Sequence, residues 1–173
     1  MWRPARPEDD DTIAQLCAKL YLEDPASDPV PPGQPARTLE VLRKEPARGR
    51  ALVLELDGVV EGYALLISFW SNELGGEVCT LDEIYVSATA RGGGHASGLI
   101  EALAKGQGPW PGRPVALELE VSPENVRARA LYERLGFVPR RNATMRRKGS
   151  GSVPGGRAQA GSGSKLIAPP GRK

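Results

Sequence analysis

Apolar residues recur along this chain with two different spacings, and these spacings predict its helices and strands. Three stretches place apolar residues three and four positions apart, which gives a helix one buried face. The first predicted helix runs from Thr12 to Leu22, the second from Arg37 to Glu45, and the third follows a run of three glycines. Their apolar positions are Ile13, Leu16, Cys17 and Leu20, then Leu39 and Leu42, then Leu99, Ile100 and Leu103. We expect these side chains to face a core.

Other stretches are rich in β-branched and aromatic residues, which predicts strands. The predicted strands are Trp2–Ala5, Ala51–Leu56, Val59–Phe69, Glu77–Val86, Val115–Val121, Phe137–Val138 and Ala143–Arg147. Asp57-Gly58, between the second and the third of them, is typical of a tight hairpin turn. A fourth helix is expected to follow Ser122–Asn125, to run through Leu135 and to end at Gly136.

The length and composition predict one folded domain followed by a tail. The chain has 173 residues, of which 40% are hydrophobic, and this is enough to bury a core. We expect the domain to cover residues 1–148. From residue 149 to 173 the sequence is rich in glycine, serine and proline and is basic, which predicts a flexible tail.

The residue inventory narrows the possible chemistry. His95 is the only histidine, so neither a histidine-dependent triad nor a multi-histidine metal site is expected. Cys17 and Cys79 are predicted to be core thiols. No membrane-spanning segment and no signal peptide are predicted, so a cytoplasmic location is expected. The basic residues from Arg140 to Lys148 leave nucleic-acid contact open, but a solvated terminus is the favoured interpretation.

A strand, a glycine run and a helix follow one another between Thr80 and Lys105. The strand ends at Val86, and Arg91-Gly-Gly-Gly-His-Ala96 comes next. Backbone N–H groups in such a turn and in the first helical turn lack internal partners, and they lie at the positive end of the helix dipole. Glycine permits both the turn and the close approach of a ligand. The stretch therefore predicts a phosphate or pyrophosphate site, although its spacing fits neither the G-x-G-x-x-G motif nor the P-loop.

Two motifs resemble those of the GCN5-related N-acetyltransferase (GNAT) superfamily. Arg91 to Ala96 is similar to its R/Q-x-x-G-x-G/A signature, and Asn125 to Phe137 is similar to its N-x-x-A-x-x-L-Y-x-x-x-G-F helix. The resemblance implies an α/β (α+β) fold in which helices flank a mixed, mainly antiparallel sheet. It also implies that the fourth and fifth strands splay apart and that acetyl-CoA enters the gap between them.

The same resemblance implies where the coenzyme binds. The strand backbone at Tyr85 and Val86 would pair with the pantetheine amides, and Asn125 would contact the coenzyme. The residues implied for the pyrophosphate are Arg91, Gly92, Gly93, Gly94, His95, Ala96 and Ser97. His95 stands where an aliphatic residue is more common in the family, and a partly exposed loop histidine is the favoured interpretation.

Transfer of an acetyl group to an amine requires a neutral amine, and an alkyl ammonium has a pKa of about 10.4. A carboxylate is therefore expected to accept the proton. Glu120 lies in Leu119-Glu-Val-Ser-Pro-Glu-Asn125, which resembles the L-E-V-x-x-S-N pattern of ribosomal-protein alanine acetyltransferases, although Glu124 replaces its serine. Asp82 is the second candidate. Glu83 is third, because strand alternation puts it on the opposite face from Asp82 unless a bulge intervenes.

Tyr132 matches the family tyrosine that protonates the leaving thiolate. The alternative interpretation of Tyr132 is a core aromatic residue.

The acceptor is left open between a small primary amine and a peptide N-terminus. The acidic residues around Asp82 and in the Leu20–Pro25 segment favour a small primary amine. A catalytically silent acyl-CoA-binding module remains a third hypothesis. The family resemblance also leaves a homodimer open.

Overall fold

The computed structural model describes residues 1–26, 28, 30–142 and 144–150. Residues Met1–Arg140 form one compact unit, which ends before Arg141. The strands of this unit are β1 (Trp2–Pro4), β2 (Gly49–Leu56), β3 (Val59–Ser71), β4 (Gly76–Val86) and β5 (Ala116–Leu119). Its α-helices are α1 (Asp10–Glu23), α2 (Gln34–Lys44), α3 (His95–Ala104) and α4 (Val126–Arg134). No helix within the described part of the chain is long and apolar enough to cross a membrane.

The strands form one mixed sheet in the order β1-β2-β3-β4-β5. The first four pair antiparallel, and β5 pairs parallel to β4. Asp57 and Gly58 both have positive φ angles, of 51° and 79°, which suits the tight turn that joins β2 to β3. The predicted mixed, mainly antiparallel sheet flanked by helices is therefore confirmed.

Helices cover both faces of the sheet and bury the predicted apolar positions except Leu20, which is partly buried. On one face, α1 and α2 pack on the sheet through a cluster formed by Ile13, Leu16, Cys17, Leu39, Leu42, Val53, Tyr63, Leu65 and Tyr85. On the other face, α3 contributes to a cluster formed by Leu52, Ala64, Leu66, Cys79, Leu81, Leu99, Ile100, Leu103 and Trp110. Cys17 and Cys79 are free and buried, as predicted.

The pairing of β4 with β5 stops well before β4 ends. Parallel pairing covers Val78 to Leu81 on β4 and Ala116 to Leu119 on β5, whereas β4 continues to Val86. We call the end of this pairing, after Leu81 and Leu119, the strand fork. Beyond the fork, the last part of β4 has β3 on one side and no β5 partner on the other. This is the predicted separation of the fourth and fifth strands.

A β-bulge in β4 changes which face its acidic residues occupy. Leu81 pairs with Leu66 and Glu83 with Leu65, so Asp82 is the extra residue. Simple alternation from the buried Leu81 would send Glu83 toward α3. Because of the bulge, Glu83 lies on the α1 side instead, and the sequence could not fix this reversal.

The prediction of strands after the fourth helix is wrong for the residues that the structure describes. Phe137, Val138 and residues 144–147 have no strand structure, and Ala143 lies outside the described residues. Val138 and Met145 are 80% and 94% exposed, so neither side chain takes part in a buried strand face. The predicted tail also lies outside the described residues from position 151 onward.

Candidate active site

The glycine loop reaches α3 through two residues with left-handed backbone conformations. Gly92 has a φ angle of +89°, and Gly94, which precedes the helix, has a φ angle of +72°. L-residues rarely adopt such angles, so both positions require glycine. The N–H of Gly98 donates to the carbonyl of Gly94 at 2.8 Å. The N–H groups of the preceding helical residues therefore lie before the helical hydrogen-bond ladder and can bind an anion.

His95 and Trp2 fix the position of this helix start. The indole Nε1 of Trp2 donates to the backbone oxygen of His95 at 2.9 Å, which links β1 to α3. A Cβ atom added to Gly93 would lie only 2.6 Å from Nε2 of His95, so the imidazole covers that glycine. The histidine is partly exposed, as expected, but it is the first residue of α3 and not a loop residue.

A cleft of about 900 Å³ lies beside the glycine loop. Its walls come from the end of β4, the loop, the start of α3, one side of α4 and the C-terminal end of α1. Nine of the ten predicted coenzyme residues line it, together with Tyr132: these nine are Tyr85, Val86, Arg91, Gly92, Gly94, His95, Ala96, Ser97 and Asn125. The exception is Gly93, which the imidazole of His95 covers. The structure therefore brings nearly all of these residues to one cavity.

Arg91 is held at the cleft by three interactions. Its Nε donates to the carbonyl of Val86 at 2.8 Å, and its guanidinium lies 5.2 Å from the ring centroid of Tyr85. A second nitrogen of Arg91 pairs with Glu23 at 2.7 Å, and the Tyr85 hydroxyl donates to the same carboxylate at 2.9 Å. Burial opposes ionisation of Glu23, but these hydrogen bonds and the charges of Arg91 and Arg127 hold its pKa below the usual value.

Asn125 and Tyr132 belong to the α4 wall. The Asn125 side chain caps α4 by accepting from the N–H of Ala128 at 3.1 Å, and its Nδ2 donates to Asp24 at 2.7 Å. Burial raises the pKa of Tyr132, and the charge of Asp24 raises it further. The Tyr132 hydroxyl therefore keeps its proton at neutral pH. Its ring also packs edge-on against Phe137, with 5.7 Å between ring centroids.

The other two predicted catalytic residues lie at the strand fork and do not line the cleft. Asp82 and Glu120 each come directly after the last paired residues, Leu81 and Leu119. Burial, followed by the charges of Glu83 and Glu120, raises the pKa of Asp82. Both side chains still have exposed surface. The fork thus presents two neighbouring carboxylates, and the charge of Glu120 contributes to the raised pKa of Asp82.

Glu83 is surrounded by neutral donors on the α1 side of β4. The Tyr63 hydroxyl donates to it at 2.6 Å, the Tyr21 hydroxyl also donates to it, and the Cys17 thiol lies 3.8 Å away. Burial and the Glu83 charge raise the pKa values of both tyrosines, so they remain protonated donors. Among the described residues, none of Asp82, Glu83 and Glu120 forms an ion pair. Within the described residues, no protein cation therefore pairs with these three acids.

Sequence reasoning missed how the end of α1 meets the cleft. From the sequence alone, the acids of the Leu20–Pro25 segment are expected only to attract a cation. In the structure, Glu23 and Asp24 bind residues predicted for the coenzyme, across 68 and 101 positions of sequence. Arg127 and Arg134 also line the cleft and carried no prediction. Arg127 and Arg134 lie four residues before and three residues after the motif residue Leu131, and this helical spacing could have indicated that they share its face.

The structure thus combines a split mixed sheet with a glycine-rich helix start and a cleft along a free strand edge. The model of the acetyltransferase (GNAT) family matches residues 15–137. The chain therefore belongs to the GNAT family of acetyltransferases, as its motifs predict, and this family uses acetyl-CoA. No curated protein sequence matches the chain.

Solved structures share the fold at low sequence identity. A possible acetyltransferase from Clostridium difficile 630 is 22% identical, with a TM-score of 0.73 over 86% of this chain and 96% of the other. Ribosomal-protein-alanine N-acetyltransferase from Brucella melitensis biovar Abortus 2308 is 22% identical, with a TM-score of 0.62 over 86% and 99%. Aminoglycoside N-acetyltransferase AAC(6')-Iy, in complex with CoA, is 21% identical, with a TM-score of 0.61 over 86% and 98%.

Proposed function

We propose that this acetyltransferase transfers the acetyl group of acetyl-CoA to a small, cationic primary amine. The observation that carries the proposal is the meeting of an anion-binding loop and a protonated tyrosine in one cleft, with a carboxylate pair at the nearby strand fork. The loop suits the phosphates of a coenzyme, the tyrosine suits proton donation, and the carboxylates suit proton acceptance from an ammonium group.

The residues of the cleft fit coenzyme A. Backbone N–H groups of the loop from Gly92 to Ser97, at the positive end of α3, would hold the diphosphate. The strand edge left free at Tyr85 and Val86 would hydrogen-bond the pantetheine amides, and Asn125 would contact the coenzyme from α4. The cleft volume of about 900 Å³ lies within the range of small-molecule sites. When bound, acetyl-CoA supplies the activated acetyl thioester.

Residues of this chain take part in the proton transfers that the reaction requires. Glu120 accepts a proton from the ammonium group, directly or through a water, so that the amine can attack. Asp82, whose raised pKa makes it a stronger base than an ordinary aspartate, is the alternative acceptor. Tyr132 donates its hydroxyl proton to the sulfur as the C–S bond breaks, and the second proton that the nitrogen loses as the amide forms returns to the Tyr132 phenolate through water. Its raised pKa keeps the phenol protonated until the sulfur leaves, and it also makes the phenol a weaker acid than free tyrosine.

The preference for a small cationic amine rests on the acids around the fork. Asp82, Glu83 and Glu120 form no ion pair within the described residues, so a substrate ammonium would supply the missing positive charge. The competing hypothesis is N-terminal or lysine acetylation of a protein. It draws on the resemblance of the Leu119–Asn125 segment to ribosomal-protein alanine acetyltransferases.

The test of the proposal is CoA release from acetyl-CoA in the presence of a panel of amines. The panel contains polyamines, diamines, amino acids, aminoglycosides and peptides with free N-termini. We expect the highest kcat/KM for a diamine or polyamine. The matched pair is 1,4-diaminobutane and butylamine, which have equal carbon chains and differ by one charge, so the diamine should have the lower KM.

Other outcomes would reject this proposal in distinguishable ways. Preference for peptides would favour the protein-acetylation hypothesis. Tight binding of acetyl-CoA without CoA release for any amine would favour a catalytically silent binding module. Equal kcat/KM values for the diamine and the monoamine would contradict the proposal that the acids at the strand fork favour a cationic substrate.

Glu23 offers a prediction about coenzyme affinity. Its carboxylate forms an ion pair with Arg91 and adds negative charge to a cleft proposed for an anionic coenzyme. Replacement of Glu23 by glutamine should therefore lower the Kd for CoA by about three-fold, a small effect because the pair is partly exposed. Isothermal titration calorimetry measures the change, and Glu101→Gln, a glutamate of α3 paired with Lys105, is the control. Weaker binding by Glu23→Gln would mean that Glu23 positions Arg91 for the coenzyme.

A further inference from the structure

Two arginines of α4 face the cleft, and neither forms a hydrogen bond or an ion pair within the described residues, although the charge of Arg127 helps to lower the pKa of Glu23. Arg127 and Arg134 both line the cleft and are exposed. They are seven residues apart, which is close to two helical turns and puts them on one face of the helix. A third arginine, Arg129, does not line the cleft and instead pairs with Glu133 at 3.8 Å. The helix thus presents two guanidinium groups to the cavity and directs another away from it.

The acids that line the cleft already have partners. Glu23 binds Arg91 and Tyr85, Asp24 accepts from Asn125, and Glu124 accepts from the Ser122 hydroxyl. The positive charges of the α4 wall are therefore available to a ligand. A ligand that uses them must carry negative charge beyond the group held by the loop amides.

We propose that Arg127 and Arg134 bind the 3′-phosphate of the coenzyme and make the cleft select CoA over dephospho-CoA. This inference rests on the proposed function, since it takes the diphosphate of CoA to be held at the glycine loop. The 3′-phosphate is a monoester, and such a group carries a charge of about −1.5 to −2 at pH 7. Guanidinium groups match phosphate oxygens with paired N–H donors, so two arginines on one helix face suit this group.

The test compares the Kd values of CoA and dephospho-CoA, which differ only in the 3′-phosphate. Wild-type protein should bind CoA about ten-fold more tightly at low ionic strength, and the ratio should fall as salt screens the charges. The double variant Arg127→Gln/Arg134→Gln should reduce the ratio to within about two-fold while leaving the Kd for dephospho-CoA nearly unchanged. Arg129→Gln removes the same charge from the same helix and should keep the wild-type ratio.

The outcomes separate this inference from the function on which it rests. If wild-type protein binds both ligands equally, or if the double variant keeps the preference for CoA, the assignment of the two arginines is wrong. Loss of dephospho-CoA binding in the double variant would also contradict it, because the effect would then not be specific to the 3′-phosphate. If neither ligand binds wild-type protein, the proposed function itself fails. Thermal unfolding of the exposed-site variants checks that each one is folded.

Discussion

Replacement of Tyr132 by phenylalanine should lower kcat about 100-fold, while the Kd for acetyl-CoA should stay within about two-fold of wild type. The change removes only the hydroxyl, and in this account the hydroxyl acts when the thiolate leaves. The ring, which packs against Phe137, is kept. Because burial and Asp24 raise the pKa of Tyr132, the donor remains protonated through the neutral range. Steady-state CoA release and calorimetric titration measure the two quantities.

The control for Tyr132 separates the hydroxyl from its packing. Phe137→Leu removes the edge-on ring partner and keeps the hydroxyl, so it should change kcat far less than Tyr132→Phe. If Tyr132→Phe retains wild-type kcat, the tyrosine is a structural residue of the α4 wall. If the two variants lose equal activity, packing accounts for the effect.

Replacement of Glu120 by glutamine should lower kcat/KM about 100-fold at pH 7, and the loss should shrink as the pH rises. At pH 7, deprotonation of an ammonium group with a pKa of about 10.4 costs about 4–5 kcal/mol. A base in the site reduces the contribution of this cost to the activation free energy. Near pH 10 a large share of the amine is already neutral, so the base matters less. The measurement is a pH profile of kcat/KM for the best amine of the panel.

Two matched variants make the Glu120 result specific. Glu118→Gln removes a carboxylate from β5, two residues before Glu120, where it pairs with Arg140 at 2.7 Å, and should have little effect on kcat/KM. Asp82→Asn tests the alternative base. If Asp82 is the base, kcat/KM falls as the pH drops through its raised pKa, and Glu120→Gln shifts that fall to lower pH by removing a neighbouring negative charge. A loss in Glu120→Gln that is equal at every pH would indicate a structural role.

The sequence predicted the parts of this fold that depend on local patterns. Ile13, Leu39 and Leu103 lie in helices and are buried because helical spacing gives each helix one apolar face. The glycines at 92 and 94 mark the loop because only glycine adopts their backbone angles readily. The family motifs then implied the split between β4 and β5, which local patterns alone would not reveal.

The errors arose where distant parts of the chain decide the structure. The bulge at Asp82 depends on the register between β3 and β4, and one extra residue reversed the face of Glu83. The pair of Arg91 with Glu23 joins residues 68 positions apart, so no local pattern indicates it. Phe137 and Val138 have strand-forming side chains, but Val138 is exposed and Pro139 follows it without an N–H donor. Strand propensity was therefore a poor guide there.

The measurement that tests the central claim most directly is a backbone amide NMR titration with CoA. If the cleft holds the coenzyme as proposed, the largest shifts should fall on the amides from Gly92 to Ser97 and on the free edge of β4 from Ile84 to Val86. Saturation of those shifts should give the same Kd as calorimetry. Absence of shifts at these residues under saturating CoA, or shifts confined to another surface, would contradict the account.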